Sequence, residues 1–174
     1  SEQESSPELS LHEILENQYD NPEVVDIGGT KVEIHDLQPP ELKTEVPTIV
    51  VPGWSATANV LKENIVTLAE HGRRVVVASA PHGVEAEPNE LYPQIELRKA
   101  QAVVSALDHL GIEQADAVSH SEAGVFLSVA ATENTKRFRN MVLVSPGGLI
   151  GPDNLPRLAT DFNADILGQW AHGA

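Results

Sequence analysis

The sequence predicts an α/β fold: a mostly parallel sheet with an N-terminal hairpin and helices on both faces. Three observations carry that expectation. Apolar runs at 48–51, 74–78, 115–119 and 141–144 lack regular polar alternation, the pattern of strands buried on both faces. The stretches between them place apolar residues at helical spacing, and strand–helix–strand alternation implies crossover connections between parallel strands. Upstream, Gly28-Gly29 separates two strand-like segments, and paired glycines supply the positive φ angles of a tight hairpin turn.

Each element has its own reason. Residues 1–21 are acidic and polar, with Leu9, Leu11, Ile14 and Leu15 as the sizeable aliphatic side chains; they suit a short helix packed on the surface or a mobile tail, and the reading favoured is a partly ordered acidic tail. Residues 24–27 and 31–36 make the hairpin, and 38–47 is a polar, proline-bearing loop. The strand at 48–51 ends at Pro52-Gly53. Leu61, Ile65 and Leu68 then line one helical face, and Gly72 ends that helix. The strand at 74–78 runs into a loop over 81–92. Pro93 suits the first turn of a helix with Leu97, Ala100, Val104 and Leu107 on its apolar face, stopped by Gly111. A strand at 115–119, a helix over 122–132 and a strand at 141–144 complete a core spanning 22–148. The segment 149–174 differs: Leu158, Phe162, Ile166 and Trp170 recur every four residues, a packing stripe for a capping helix.

Composition narrows the function. The 174 residues fit one domain or part of a larger one, and 41% apolar residues suffice for a core. A net charge of −15 opposes binding to phosphate backbones, and no nucleic-acid motif is present, so no nucleic-acid partner is expected. The absence of cysteine excludes disulfides, thiolate metal sites and cysteine nucleophiles. No two histidines stand at metal-ligand spacing, so the expectation is no metal. No secretory leader pattern or membrane-length apolar run is visible, which makes the cytoplasm the default compartment, with secretion open.

The chemistry concentrates at Ser121. It lies in Ser119-His120-Ser121-Glu122-Ala123, after a strand-like run and before a helix-like one. A hydroxyl presented on so sharp a turn needs small flanking residues, here Ser119 and Ala123. A serine nucleophile also needs a base, a group orienting that base, and donors for the developing oxyanion. On a parallel sheet these gather at the carboxyl ends of the strands. Pro52-Gly53-Trp54-Ser55 follows another strand, so a backbone N–H of that loop and the N–H of Glu122 suit a two-donor oxyanion hole. Loss of one such donor raises a barrier by about 3–4 kcal/mol.

These motifs resemble the α/β-hydrolase superfamily, in particular its serine esterase, lipase and thioesterase-like members, over 24–148. The resemblance implies a nucleophile at Ser121, oxyanion amides at Trp54 and Glu122, and hydrolysis of an ester, thioester or similar acyl bond of a small molecule without a cofactor. A serine at this position argues against the aspartate-dependent dehalogenase and epoxide-hydrolase branches. The chain departs from the pattern in carrying Ser119 and Ala123 for the usual glycines, and Pro52 where a histidine often precedes the oxyanion glycine. Glu122 sets a carboxylate beside the serine, and its side chain is expected to point away. In the superfamily an acid and then a histidine follow the serine on later strands. Here only Asp153, Asp161, Asp165 and His172 follow 144, so 149–174 reads as the start of a lid or cap with the final strands missing. Asp153 and His172 are the low-weight acid and base. Otherwise both come from a second chain or from a C-terminal part beyond this sequence.

Gly53, Ser55 and His82 are the candidate pocket residues, although a loop histidine such as His82 is more often simply solvated. His120, next to the serine, reads as packing, and His35, His71 and His109 as structural or surface groups. The alternative function is a catalytically inactive α/β-hydrolase-like binding module, or a truncated fragment lacking the catalytic histidine.

Overall fold

The computed structural model describes residues 8–53, 61–80 and 87–146. Their elements, in chain order, are α1 (Leu11–Asp20), β1 (Glu23–Ile27), β2 (Thr30–Leu37), β3 (Thr48–Val51), α2 (Lys62–Glu70) and β4 (Val75–Ser79). They continue with α3 (Tyr92–His109), β5 (Ala115–His120), α4 (Ala123–Glu133) and β6 (Phe138–Val144). The expected hairpin is β1–β2, turning through Gly28 and Gly29 at φ 59° and 84°. Both central turn residues sit at positive φ, which a side chain would resist.

The sheet order is β1-β2-β4-β3-β5-β6. β2 runs antiparallel to β1 and β4, while β4, β3, β5 and β6 run parallel. From β3 the chain crosses through α2 to β4 on one side, then returns through α3 to β5 on the other. Opposed crossovers of one hand put their helices on opposite faces of the sheet. The core divides accordingly. Ile49 and Val51 of β3 pack with Ala100, Val103 and Leu107 of α3 and with Phe126 and Leu127 of α4. Val50, between them, packs with Ile65, Val66 and Ala69 of α2 and with α1. This two-sided burial is why the strand lacks polar alternation.

The N-terminal expectation needs correction. Residues 11–20 are not tail but a docked helix, with Leu15 and Tyr19 fully buried against α2, β2 and β4. Burying a side chain of this kind contributes about 1.5–3 kcal/mol, enough to hold a short helix. Ser10 and Glu13 close a capping box that starts it: the Glu13 N–H donates to Ser10 Oγ (3.2 Å) and the Ser10 N–H to Glu13 Oε2 (2.8 Å). The inward face of α3 also differs from expectation. Glu96, Ala100, Val103, Ala106 and Leu107 are buried, whereas Leu97 is 36% exposed. Because α3 packs against both the sheet and α4, its buried stripe is wider and rotated toward Glu96.

Candidate active site

β5 ends at His120 and α4 begins at Ala123, so strand must become helix within two residues. Ser121 achieves this at φ 56°, in the left-handed region. An L-residue there gives up about 1–2 kcal/mol, so the surroundings must hold it. The Ser121 N–H donates to the Val144 carbonyl of β6 (3.0 Å), and the Gly124 N–H donates to the Ser121 carbonyl (3.0 Å). Ser119 and Ala123, the expected small residues, are fully buried. A third small residue escaped the sequence reading. A Cβ on Gly124 would stand 2.8 Å from Pro146 Cβ, closer than packed carbons allow.

The strand register brings the second loop to this turn. Val51 of β3 lies opposite Ser119 of β5, and Gly53 follows beside Ser121. A Cβ on Gly53 would lie 3.0 Å from the His120 carbonyl oxygen, 3.0 Å from Ser121 Cβ and 3.5 Å from Ser121 Oγ. A side chain at 53 would have to push these atoms back by a few tenths of an ångström, so glycine suits the close approach of the two loops. The chain leaves β3 for α2 on one face of the sheet and β5 for α4 on the other, and open α/β sheets place their ligands beyond the carboxyl ends of strands at such a reversal. Ser121 and Gly53 both lie at that place.

Glu122 is the N-cap of α4, where the first amides of a helix lack intrahelical acceptors and can serve an anion. Its side chain is engaged elsewhere. Glu122 Oε1 accepts a hydrogen bond from Lys99 Nζ of α3 (2.5 Å), and Lys99 also donates to Glu96 Oε1 (3.0 Å). Burial, reinforced by the nearby Glu122 carboxylate, pushes Glu96 up to about 7 against the opposing pull of Lys99. Lys99 is itself desolvated, but its bonds to Glu122 and Glu96 outweigh that effect and raise its pKa.

The histidines distribute as follows. His120 is half-buried, with Nδ1 enclosed and without a hydrogen-bond partner. His35 is buried, bonded to the Tyr19 carbonyl oxygen (2.6 Å) and to Glu33 (2.8 Å), and stacked on the Tyr19 ring. His71 bonds to the Thr67 carbonyl oxygen and His109 to Glu23. Among the described residues, no imidazole or carboxyl group hydrogen-bonds to Ser121 Oγ. His12, Glu16 and Glu63 gather potential ligand atoms within 4.8 Å of one another, but His12 Nδ1 is bonded to Glu70 of α2 (2.6 Å), which makes this an interhelical ion pair. Trp54, Ser55, His82, Asp153, Asp161, Asp165 and His172, together with the segment 149–174, lie outside the described residues. No described helix is long and apolar enough to cross a membrane.

Solved structures share this fold. An α/β-hydrolase fold protein of Burkholderia ambifaria superposes with a TM-score of 0.58 at 16% identity, over 79% of this chain and 48% of its own. A meta-cleavage product hydrolase of Pseudomonas fluorescens IP01 gives a TM-score of 0.56 at 19% identity, over 72% of this chain and 45% of its own. This chain has the α/β-hydrolase fold. An epoxide hydrolase of Vigna radiata shares that fold at a TM-score of 0.56 and 18% identity, over 71% of this chain and 39% of its own. In sequence, the chain is 33% identical over 98 residues to the 2-hydroxy-6-oxo-6-phenylhexa-2,4-dienoate hydrolase of Comamonas testosteroni. The match covers 56% of this chain and 34% of that enzyme, so the chain spans about a third of the length of this curated relative. No family model matches the chain. The proteins similar to it are thus hydrolases of the α/β-hydrolase fold.

Proposed function

We propose that this chain carries the nucleophile part of a serine hydrolase that cleaves an ester, thioester or similar acyl bond. The observation that supports it best is Ser121 at positive φ, at the carboxyl end of β5, with Gly53 of the neighbouring loop directly beside its side chain. In this reading Ser121 Oγ attacks the substrate carbonyl while the amides of Glu122 and Trp54 hold the oxyanion. The leaving group departs with a proton, and water then hydrolyses the acyl-enzyme to release the acid and restore the hydroxyl. The base that accepts the serine proton, and the acid that orients it, come from outside the described residues: from His172 and Asp153, from a second chain or from a longer form of the protein. The Comamonas relative is named for a substrate with a 6-oxo-6-phenyl group, so a ketone carbonyl joins esters and thioesters among the bonds to test.

A second reading has one observation in its favour: among the described residues nothing hydrogen-bonds to Ser121 Oγ as a base would. It makes the chain an inactive binding module. Fluorophosphonate labelling with peptide mass spectrometry separates the two. The serine-hydrolase reading expects an adduct on Ser121 that disappears in Ser121→Ala and after heat denaturation. A folded chain that takes no label at Ser121 either alone or together with the second chain or longer form that would supply the base, or that labels equally well as Ser121→Ala, refutes it in favour of the binding module.

A further inference from the structure

Behind the Ser121 turn, three charged side chains meet where α3 packs on α4. Glu96 is 4% exposed, and the side chains of Lys99 and Glu122 are 17% and 13% exposed. Lys99 Nζ donates to one oxygen of each glutamate and lies 5.7 Å from the centre of the buried Phe126 ring. The other oxygen of each glutamate, Oε2, is enclosed without a partner among the described residues. Two ionised carboxylates and one ammonium would leave a net negative charge in this apolar setting, with two acceptors unsatisfied. Both problems have one answer: Lys99 Nζ holds one oxygen of each carboxyl group, and a proton on Glu96 can be donated to Glu122 beside it. The charge then balances: one ammonium, one carboxylate, one neutral acid.

We propose that Glu96 and Glu122 share a single proton beneath Lys99, and that this clamp is a positioning device fixing the turn of Ser121 against α3. Among the described residues, the groups involved come from two helices and the turn between β5 and α4. Glu96 and Lys99 belong to α3 and Glu122 to the turn, while α4 contributes the Phe126 ring rather than a charge. The clamp acts on Ser121 through the backbone of the next residue, whose amide is the expected oxyanion donor. Lys99 and Glu96 touch no substrate and are positioning residues. The influence on reactivity rests on the serine-hydrolase reading, whereas the shared proton does not.

The test follows urea unfolding of the chain and of Glu96→Gln from pH 5 to pH 8. Folding raises the Glu96 pKa from 4.5 to about 7, so the folded state binds the extra proton and stability falls as pH rises through that window. Wild type is expected to lose roughly ten- to a hundredfold in folding equilibrium constant across it. Glu96→Gln, which has no proton to lose there, is expected to show a much shallower profile, keeping only the slope of the remaining groups such as His12, whose pKa its Glu70 partner raises. A flat wild-type profile, or an unchanged slope in Glu96→Gln, overturns the shared proton. Fluorophosphonate labelling of Ser121 is the second readout. Lys99→Met is expected to slow it about tenfold, by roughly one hydrogen bond to a charged group, and Lys99→Arg to restore most of the rate. Equal labelling of wild type and a folded Lys99→Met overturns the positioning role. Should Ser121 take no label even with the second chain or longer form that would supply its base, the serine-hydrolase reading fails, and with it the influence on reactivity, while the unfolding profiles still decide the proton.

Discussion

Replacing Ser121 by glycine should make the chain more stable than replacing it by alanine. Both substitutions remove the hydroxyl, so their difference isolates the backbone. At φ 56°, alanine retains the Cβ clash of the left-handed region, about 1–2 kcal/mol. Glycine escapes that clash but adds freedom to the unfolded chain, a cost of about 0.5–1 kcal/mol. Ser121→Gly should therefore exceed Ser121→Ala by about 0.5–1 kcal/mol. With urea m-values of about 1–3 kcal/mol per molar, that is a midpoint shift of roughly 0.2–1 M. Ser128, inside α4, supplies the control. There the order should invert, with glycine below alanine by about 1 kcal/mol, because the backbone is already helical. A Ser121→Ala midpoint equal to or above that of Ser121→Gly would show that the turn stores no strain.

Three further outcomes are expected. Gly124→Ala places a methyl group 2.8 Å from Pro146 Cβ and should destabilise the chain by about 1–3 kcal/mol in urea unfolding, with slower Ser121 labelling; wild-type stability would contradict the packing at the turn. Leu15→Ala should cost about 2–5 kcal/mol, since its side chain is fully buried beneath α1; a cost under half a kcal/mol would return that segment to the status of a tail. Asp116 is held at about 2 chiefly by the Arg139 guanidinium, with further hydrogen bonds from Asn140 and Arg73. Its contribution is present above pH 3.8 and lost as pH falls toward 2, so acid unfolding should be shallower in Asp116→Asn than in wild type over that interval.

Much of this was readable beforehand, for identifiable reasons. β3 coincides with the expected 48–51 because burial on both faces writes an uninterrupted apolar run into the chain. Ser121 stood out because a strand-to-helix reversal admits only small neighbours, and the spacing of Ser119 and Ala123 shows it. Helix α1 was harder. Its apolar residues are few, and the decisive signal was polar, the Ser10…Glu13 capping pair. The α3–turn contact was not legible at all. Glu96 and Lys99 look like a solvated helix face in sequence, and only the packing of α3 on α4 brings Glu122 to them. Gly124 likewise reveals its constraint only once Pro146 has been placed over it.

The hydrogen bond from Ser121 to Val144 also sets an order of events. During synthesis the turn leaves the ribosome well before its acceptor, which lies at the end of β6. Until that strand pairs with β5, nothing on the far side receives the Ser121 N–H, and the left-handed turn is free to relax. A nascent or frayed chain would thus present an ordinary, unaligned serine. The hydroxyl gains its orientation only when the sheet has grown past it, so alignment of the site reports the maturity of the fold.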